Sequence, residues 1–224
     1  MSGASQPMVC MTSISKYFLD VTANNDVNFD LYAGEICALL GENGAGKTTL
    51  MNVLFGYYSC DEGEIFIKGK KADLASPKDA IARGVGMIHQ HFALVPSQTV
   101  LENIVIGTDS GKGLFLDLKT ARRKLLALEE QFGLQIDPEA RVWTLSVGEQ
   151  QKVEILKALY RNVDILIMDE PTAVLAPAET EDLFNTLKTL VDEGRSVVFI
   201  SHKLNEVMDI SNRVVVLRAG QVVA

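Results

Sequence analysis

The chain has 224 residues, 47% of them hydrophobic and 22% charged, which supplies a sizeable core and argues against disorder over most of the length. Its formal net charge of -8, from 29 acidic and 21 basic residues, speaks against a nucleic-acid partner, because such binders present a basic face to phosphates. No apolar run approaches the ~18 residues that span a bilayer, Met1 to Pro7 lacks the basic start of a secretory signal, and Cys10, Cys37 and Cys60 have the spacing of neither a metal site nor a disulfide framework.

The first part of the chain reads as short extended segments. Val27 to Leu31 and Glu64 to Lys68 alternate apolar and polar, with Gly34 and Gly63 as punctuation. Lys68 to Lys71, the longest basic cluster, reads as a strand end and turn. Glu35 to Leu40 is a buried-strand candidate running into a glycine-rich loop, and Lys47 to Phe55 has helical spacing. Thr120 to Phe132 is helical, with Leu125, Leu126 and Leu128 on one side and Gly133 as its stop. Glu149 to Tyr160 is a second amphipathic helix. Ile165 to Met168 and Ser196 to Ile200 are apolar strands separated by a helix at Glu179 to Val191. A short helix at Leu204 to Met208 and a strand at Arg213 to Leu217, turning at Ala219-Gly220, complete the chain. Apolar strands alternating with helices predict an α/β domain whose parallel sheet is covered on both faces.

Gly41-Glu42-Asn43-Gly44-Ala45-Gly46-Lys47-Thr48 fits glycine, four residues, then Gly-Lys-Ser/Thr. Glycines let backbone amides wrap phosphate oxygens, and the N-terminus of the following helix, where Thr49 sits, adds positive potential. The Lys47 ammonium suits β- and γ-phosphates, and the Thr48 hydroxyl suits magnesium. A preceding buried strand and a following helix are the context this chemistry requires. Asp169 and Glu170 follow the apolar strand at Ile165 to Met168. The carboxyl end of a parallel strand is where such sheets bind ligands. Asp169 there suits magnesium held through water, and Glu170 suits a water to be oriented or deprotonated.

With these motifs in order, the sequence resembles the ABC ATPase family over essentially its whole length. Leu145-Ser146-Val147-Gly148-Glu149 looks like the family signature, Gln90 like the Q-loop glutamine, and His202 like the switch histidine. Phe18 takes the place of the adenine-stacking aromatic, with Tyr17 as the alternative. The resemblance implies a P-loop NTPase with a mainly parallel sheet flanked by helices. It also implies an N-terminal antiparallel β subdomain and a helical lobe inserted at about residues 92–161, all within one domain over residues 1–224. It further implies ATP as ligand, magnesium on Thr48, Gln90 and Asp169, and catalysis by Glu170, His202 and Lys47. Ser146 and Gly148 would serve the nucleotide of a second ABC ATPase domain, and transmembrane permease subunits would dock on the helical lobe at the cytoplasmic face of the membrane. His89-Gln90-His91-Phe92 with Thr99 to Asn103, and Leu145 to Glu154, are similar to ATPases of nucleoside and simple-sugar importers. In that group one polypeptide usually carries two such domains, and this chain resembles the N-terminal one.

Four positions depart from the broader family pattern. Val147 stands where a glycine is usual, Glu149 where a glutamine is usual, Ala173 where a serine is usual, and Ala176 where an aspartate is usual. Val147 adds bulk and Glu149 adds charge near the second phosphate site, while Ala176 puts communication between paired sites in question. Three rival functions share the phosphate loop. A soluble ABC ATPase acting on ribosomes or DNA is opposed by the acidity, a switch without turnover by intact Lys47, Asp169, Glu170 and His202, and a P-loop kinase or GTPase by the signature.

Overall fold

The computed structural model describes residues 6–108 and 117–224. The chain opens with β1 (Val9–Phe18) and β2 (Val21–Leu31), an antiparallel hairpin. β3 (Ile36–Leu40) leaves it and runs through the glycine-rich loop into α1 (Lys47–Leu54). β4 (Glu62–Ile67) and β5 (Lys70–Lys71) return to the hairpin and complete an antiparallel sheet of order β2-β1-β4-β5. Next come α2 (Pro77–Ala82), β6 (Val85–Ile88), α3 (Val100–Val105), α4 (Leu118–Phe132) and α5 (Val147–Tyr160). β7 (Ile165–Asp169), α6 (Pro177–Asp192), β8 (Ser196–Ser201), α7 (Leu204–Ile210), β9 (Arg213–Arg218) and β10 (Gln221–Val222) follow.

The second sheet has the order β10-β9-β3-β8-β7-β6. Its strands pair in parallel except for the terminal β10–β9 hairpin. Both faces of this sheet are covered, which explains the uninterrupted apolar strands. Along β7, Leu166 and Met168 enter one core with α3 to α6, while Ile165 and Ile167 enter another with α1 and the antiparallel sheet. β8 divides the same way, Val197 and Phe199 to the first core, Val198 and Ile200 to the second.

The expected elements are present, several of them longer than the pattern indicated. Gly63 is the correction. It lies inside β4 and does not end an element. Its φ is +99°, and a Cβ there would stand 2.6 Å from the carbonyl oxygens of Thr12 and Ser13. This is the point where β1 bulges against β4, so glycine marks a close backbone approach and not a turn. Gly133 stops α4 in the left-handed conformation, as expected. The Lys68-Gly69 turn also falls where expected, between β4 and β5.

Phe199 is fully buried on β8 and meets Phe184 of α6 edge-on at 5.9 Å between ring centroids. Phe199→Ala is expected to reduce stability by about 3–5 kcal/mol in urea unfolding. A loss below about 1 kcal/mol would contradict this packing.

Candidate nucleotide-binding site

The loop between β3 and α1 is shaped by what surrounds it. Gly44 and Gly46 hold positive φ of +81° and +98°. A Cβ on Gly46 would strike the Ala23 carbonyl and the amide of Asn24, and one on Gly41 would strike the Leu217 carbonyl. Asn24 is fully buried and donates to the Gly46 carbonyl at 3.2 Å. The loop is thus gripped from β2 on one side and β9 on the other, so its backbone conformation is set by packing as well as by its own glycines.

Lys47 is buried, and its ammonium donates to the carbonyls of Gly41 at 2.7 Å and Glu42 at 3.0 Å. Burial pushes its pKa down, while the carboxylates of Glu170 and Asp169 act in the opposite direction. The Thr48 hydroxyl donates to Asp169 Oδ1 at 3.2 Å. Burial raises the Asp169 pKa, and the charge of Glu170 adds to the effect; the Thr48 hydrogen bond, His89 and Lys47 oppose it. A hydroxyl and a carboxylate at this separation are hard oxygen donors that suit magnesium, which commonly takes one or two protein ligands beside substrate phosphates. Glu170 has φ +49°, rare for a residue with a side chain. Its amide donates to the Ile200 carbonyl at 3.1 Å, and its carboxylate lies 2.8 Å from His202 Nδ1. That contact leaves the other ring nitrogen of His202 free to face a substrate.

One open groove of about 560 Å³ gathers Phe18, Asn43, Gly44, Ala45, Gly46, Lys47, Thr48, Thr49, Gln90, Asp169, Glu170 and His202. Gly41 lies behind it, against Leu217. Of the two candidate aromatics, Phe18 lines the groove; Tyr17 does not, and its amide is held by Asp61 at 2.7 Å.

Ser146 and Gly148 stand elsewhere, in a groove between α5 and α6 that shares no lining residue with the first. The Ser146 hydroxyl accepts from the Glu149 amide at 3.2 Å, and the Glu149 carboxylate accepts from the Ser146 amide at 2.7 Å. This reciprocal cap turns the Glu149 charge back on its own helix. The Gly148 amide donates to Glu179 at 3.1 Å, and the other Glu179 oxygen accepts from the Ala176 amide at 2.9 Å. Ala176 has no side-chain oxygen with which to cap α6, and Glu179 links the start of α6 to the signature loop. Asn24 and Glu179 were not singled out by the sequence, because each sits in an unremarkable polar position of a strand or helix.

The glycine-wrapped loop, with both acidic side chains facing it from the end of β7 across β8, makes this the phosphate-binding edge of a P-loop nucleotide-binding domain. The ABC transporter family model matches residues 24–173, and the chain belongs to that family. A model of the bacterial DnaA ATPase domain also matches, over residues 140–223, a stretch without the phosphate loop. The chain is 51% identical over 218 residues to the nucleoside import ATP-binding protein NupA of Lactococcus lactis subsp. cremoris, covering 97% of this chain and 43% of the relative. It is 47% identical over 244 residues to the glucose import ATP-binding protein TsgD13 of Haloferax volcanii, covering 96% and 44%. The chain therefore spans less than half the length of these relatives. Among solved structures it resembles the dimeric post-hydrolysis state of the ATP-binding cassette MJ0796 bound to ADP and Pi, with a TM-score of 0.82, 28% identity, and 97% of each chain covered.

Because folding raises the Asp169 pKa, the ionised carboxylate is disfavoured in the folded state. That penalty is present above the folded pKa and disappears as pH falls below the ordinary carboxyl value, about pH 4. Asp169→Asn is expected to melt at a higher temperature than the wild type at pH 8, with the gain shrinking towards about pH 4. A difference that stays constant with pH would contradict the burial effect.

Proposed function

We propose that the chain binds and hydrolyses ATP with magnesium, as one engine of an importer for a nucleoside, simple sugar or related small molecule. The observation that carries this reading is the division of the site. Lysine, threonine, both carboxylates and histidine line one groove, while Ser146 and Gly148 lie outside it. A second ABC ATPase domain then supplies its own signature across the groove, and the signature of this chain serves the nucleotide of the partner. The dimeric solved relative and the import names of the curated relatives support the same reading.

In this proposal Phe18 stacks on adenine, and the amides of the loop from Gly41 to Thr49 hold the phosphates with Lys47. Magnesium held by Thr48, Asp169 and Gln90 with the phosphate oxygens would neutralise charge developing during transfer. Glu170 accepts a proton from the attacking water. His202, acting as the imidazolium so that both ring nitrogens donate, bonds Glu170 through Nδ1 and a γ-phosphate oxygen through Nε2. The Gly148 amide must leave Glu179 to take a phosphate of the partner's ATP, so closure exchanges one anion for another. Transmembrane permease subunits dock on the lobe at about 92–161, at the cytoplasmic face of the membrane; no helix of the described residues is long and apolar enough to cross one.

Phosphate release from Mg-ATP, measured against protein concentration, tests the reading. Specific activity is expected to rise with concentration, and Glu170→Gln to lower kcat about 100-fold or more with little change in KM. ATP binding without any phosphate release, even with permease subunits present, would make the chain a nucleotide switch instead.

A further inference from the structure

Glu206 of α7 does not line the groove, yet its partners flank two residues that do. Thr172, buried and two residues after Glu170, donates its hydroxyl to Glu206 Oε2 at 2.5 Å. Ser201, fully buried and directly before His202, directs its hydroxyl to the same oxygen at 3.4 Å. That hydroxyl also accepts from the Lys203 amide at 3.0 Å. The Lys203 ammonium closes the cluster, donating to Glu206 Oε1 at 2.8 Å and to the Thr172 carbonyl at 3.4 Å. One carboxylate therefore fastens the turn after β7 to the turn after β8. The Glu170–His202 pair is carried on those two turns, and its own contact is 2.8 Å.

We propose that Glu206 is a positioning residue that holds Glu170 and His202 in register for water activation, an inference that rests on the proposed hydrolytic function. Two physical arguments support it. The left-handed backbone of Glu170 persists only if its surroundings over-determine it, and the anchoring of Thr172 two residues away fixes the exit of that turn. A displacement of about 1 Å at reacting groups lowers rate about 100-fold, so a tie between the two turns acts on kcat and leaves the phosphate loop alone. Lys203 balances the Glu206 charge, so the clamp adds no net charge behind the groove. The sequence alone gives no sign of this role, because Glu206 appears as one more acid on a short exposed helix.

The test compares Glu206→Ala and Thr172→Val with the wild type. Thr172→Val keeps the Glu206–Lys203 ion pair and the Lys203 contact with the Thr172 carbonyl, and removes the threonine hydroxyl's contacts with Glu206 and Lys203, which guards against a folding defect in the alanine variant. Both are expected to lower kcat about 10–100-fold with the KM for ATP unchanged. A second readout is the ring-nitrogen NMR signals of the three histidines. The His202 signals are expected to move towards those of Glu170→Ala, with His89 and His91 unmoved. Wild-type kcat and unmoved His202 signals in both variants would overturn the proposal. A fall in kcat with the His202 signals in place would also overturn it, since the effect would then arise elsewhere. If the wild type releases no phosphate, the hydrolytic reading fails, and the His202 signals alone still decide whether Glu206 sets the pair.

Discussion

β8 lies between β3 and β7, and the three strands end almost flush: Leu40 pairs with Ser201, and Asp169 with Ile200. Every arrangement in the candidate site follows from that register. The phosphate loop leaves the end of β3, the two carboxylates the end of β7, and His202 the end of β8. Flush ends place Thr48 against Asp169 and Glu170 against His202 without long loops. A slip of one residue would exchange the two faces of a strand. Phe199 and Val197 would then leave the helical core for the one beside α1. Burial on both faces thus locks the register, and the register assembles the site.

The site holds opposite charges that each suffer from burial. Lys47 loses proton affinity by desolvation while Asp169 gains it, and each partly relieves the other. Glu170 adds a strained backbone to this set. Such groups are maintained by the surrounding fold and not by their own local preference. Fixed, partly desolvated charges need little rearrangement when phosphate charge develops, which is the basis of electrostatic preorganisation. The second groove behaves differently. Its Gly148 amide is already occupied by Glu179, so under the proposed function a partner's phosphate would meet a bonded donor and not an open one.

Much of the central sheet was legible because strands buried on both faces leave uninterrupted apolar runs, as at Ile165 to Met168 and Ser196 to Ile200. The phosphate loop was legible because its glycines and lysine are fixed by local chemistry. β6 was less so: it has four residues, includes Gly86, and carries no alternation. Gly63 misled because a glycine facing a bulge and a glycine in a turn look alike in sequence; only the carbonyls of Thr12 and Ser13 tell them apart. The charge expected to trouble the second phosphate site, on Glu149, is absorbed by a capping box. Asn24, Glu179 and Glu206 were invisible because each acts through a partner distant in sequence, at separations of 22, 31 and 34 residues respectively.

The most direct test of the nucleotide site is a crystal structure of the chain with ADP and manganese, the metal located by its anomalous signal. The expected result is a β-phosphate enclosed by the amides of residues 41–48, with manganese coordinated by the Thr48 hydroxyl and by Asp169 directly or through one water. A nucleotide bound outside that loop, or manganese away from both Thr48 and Asp169, would contradict the account.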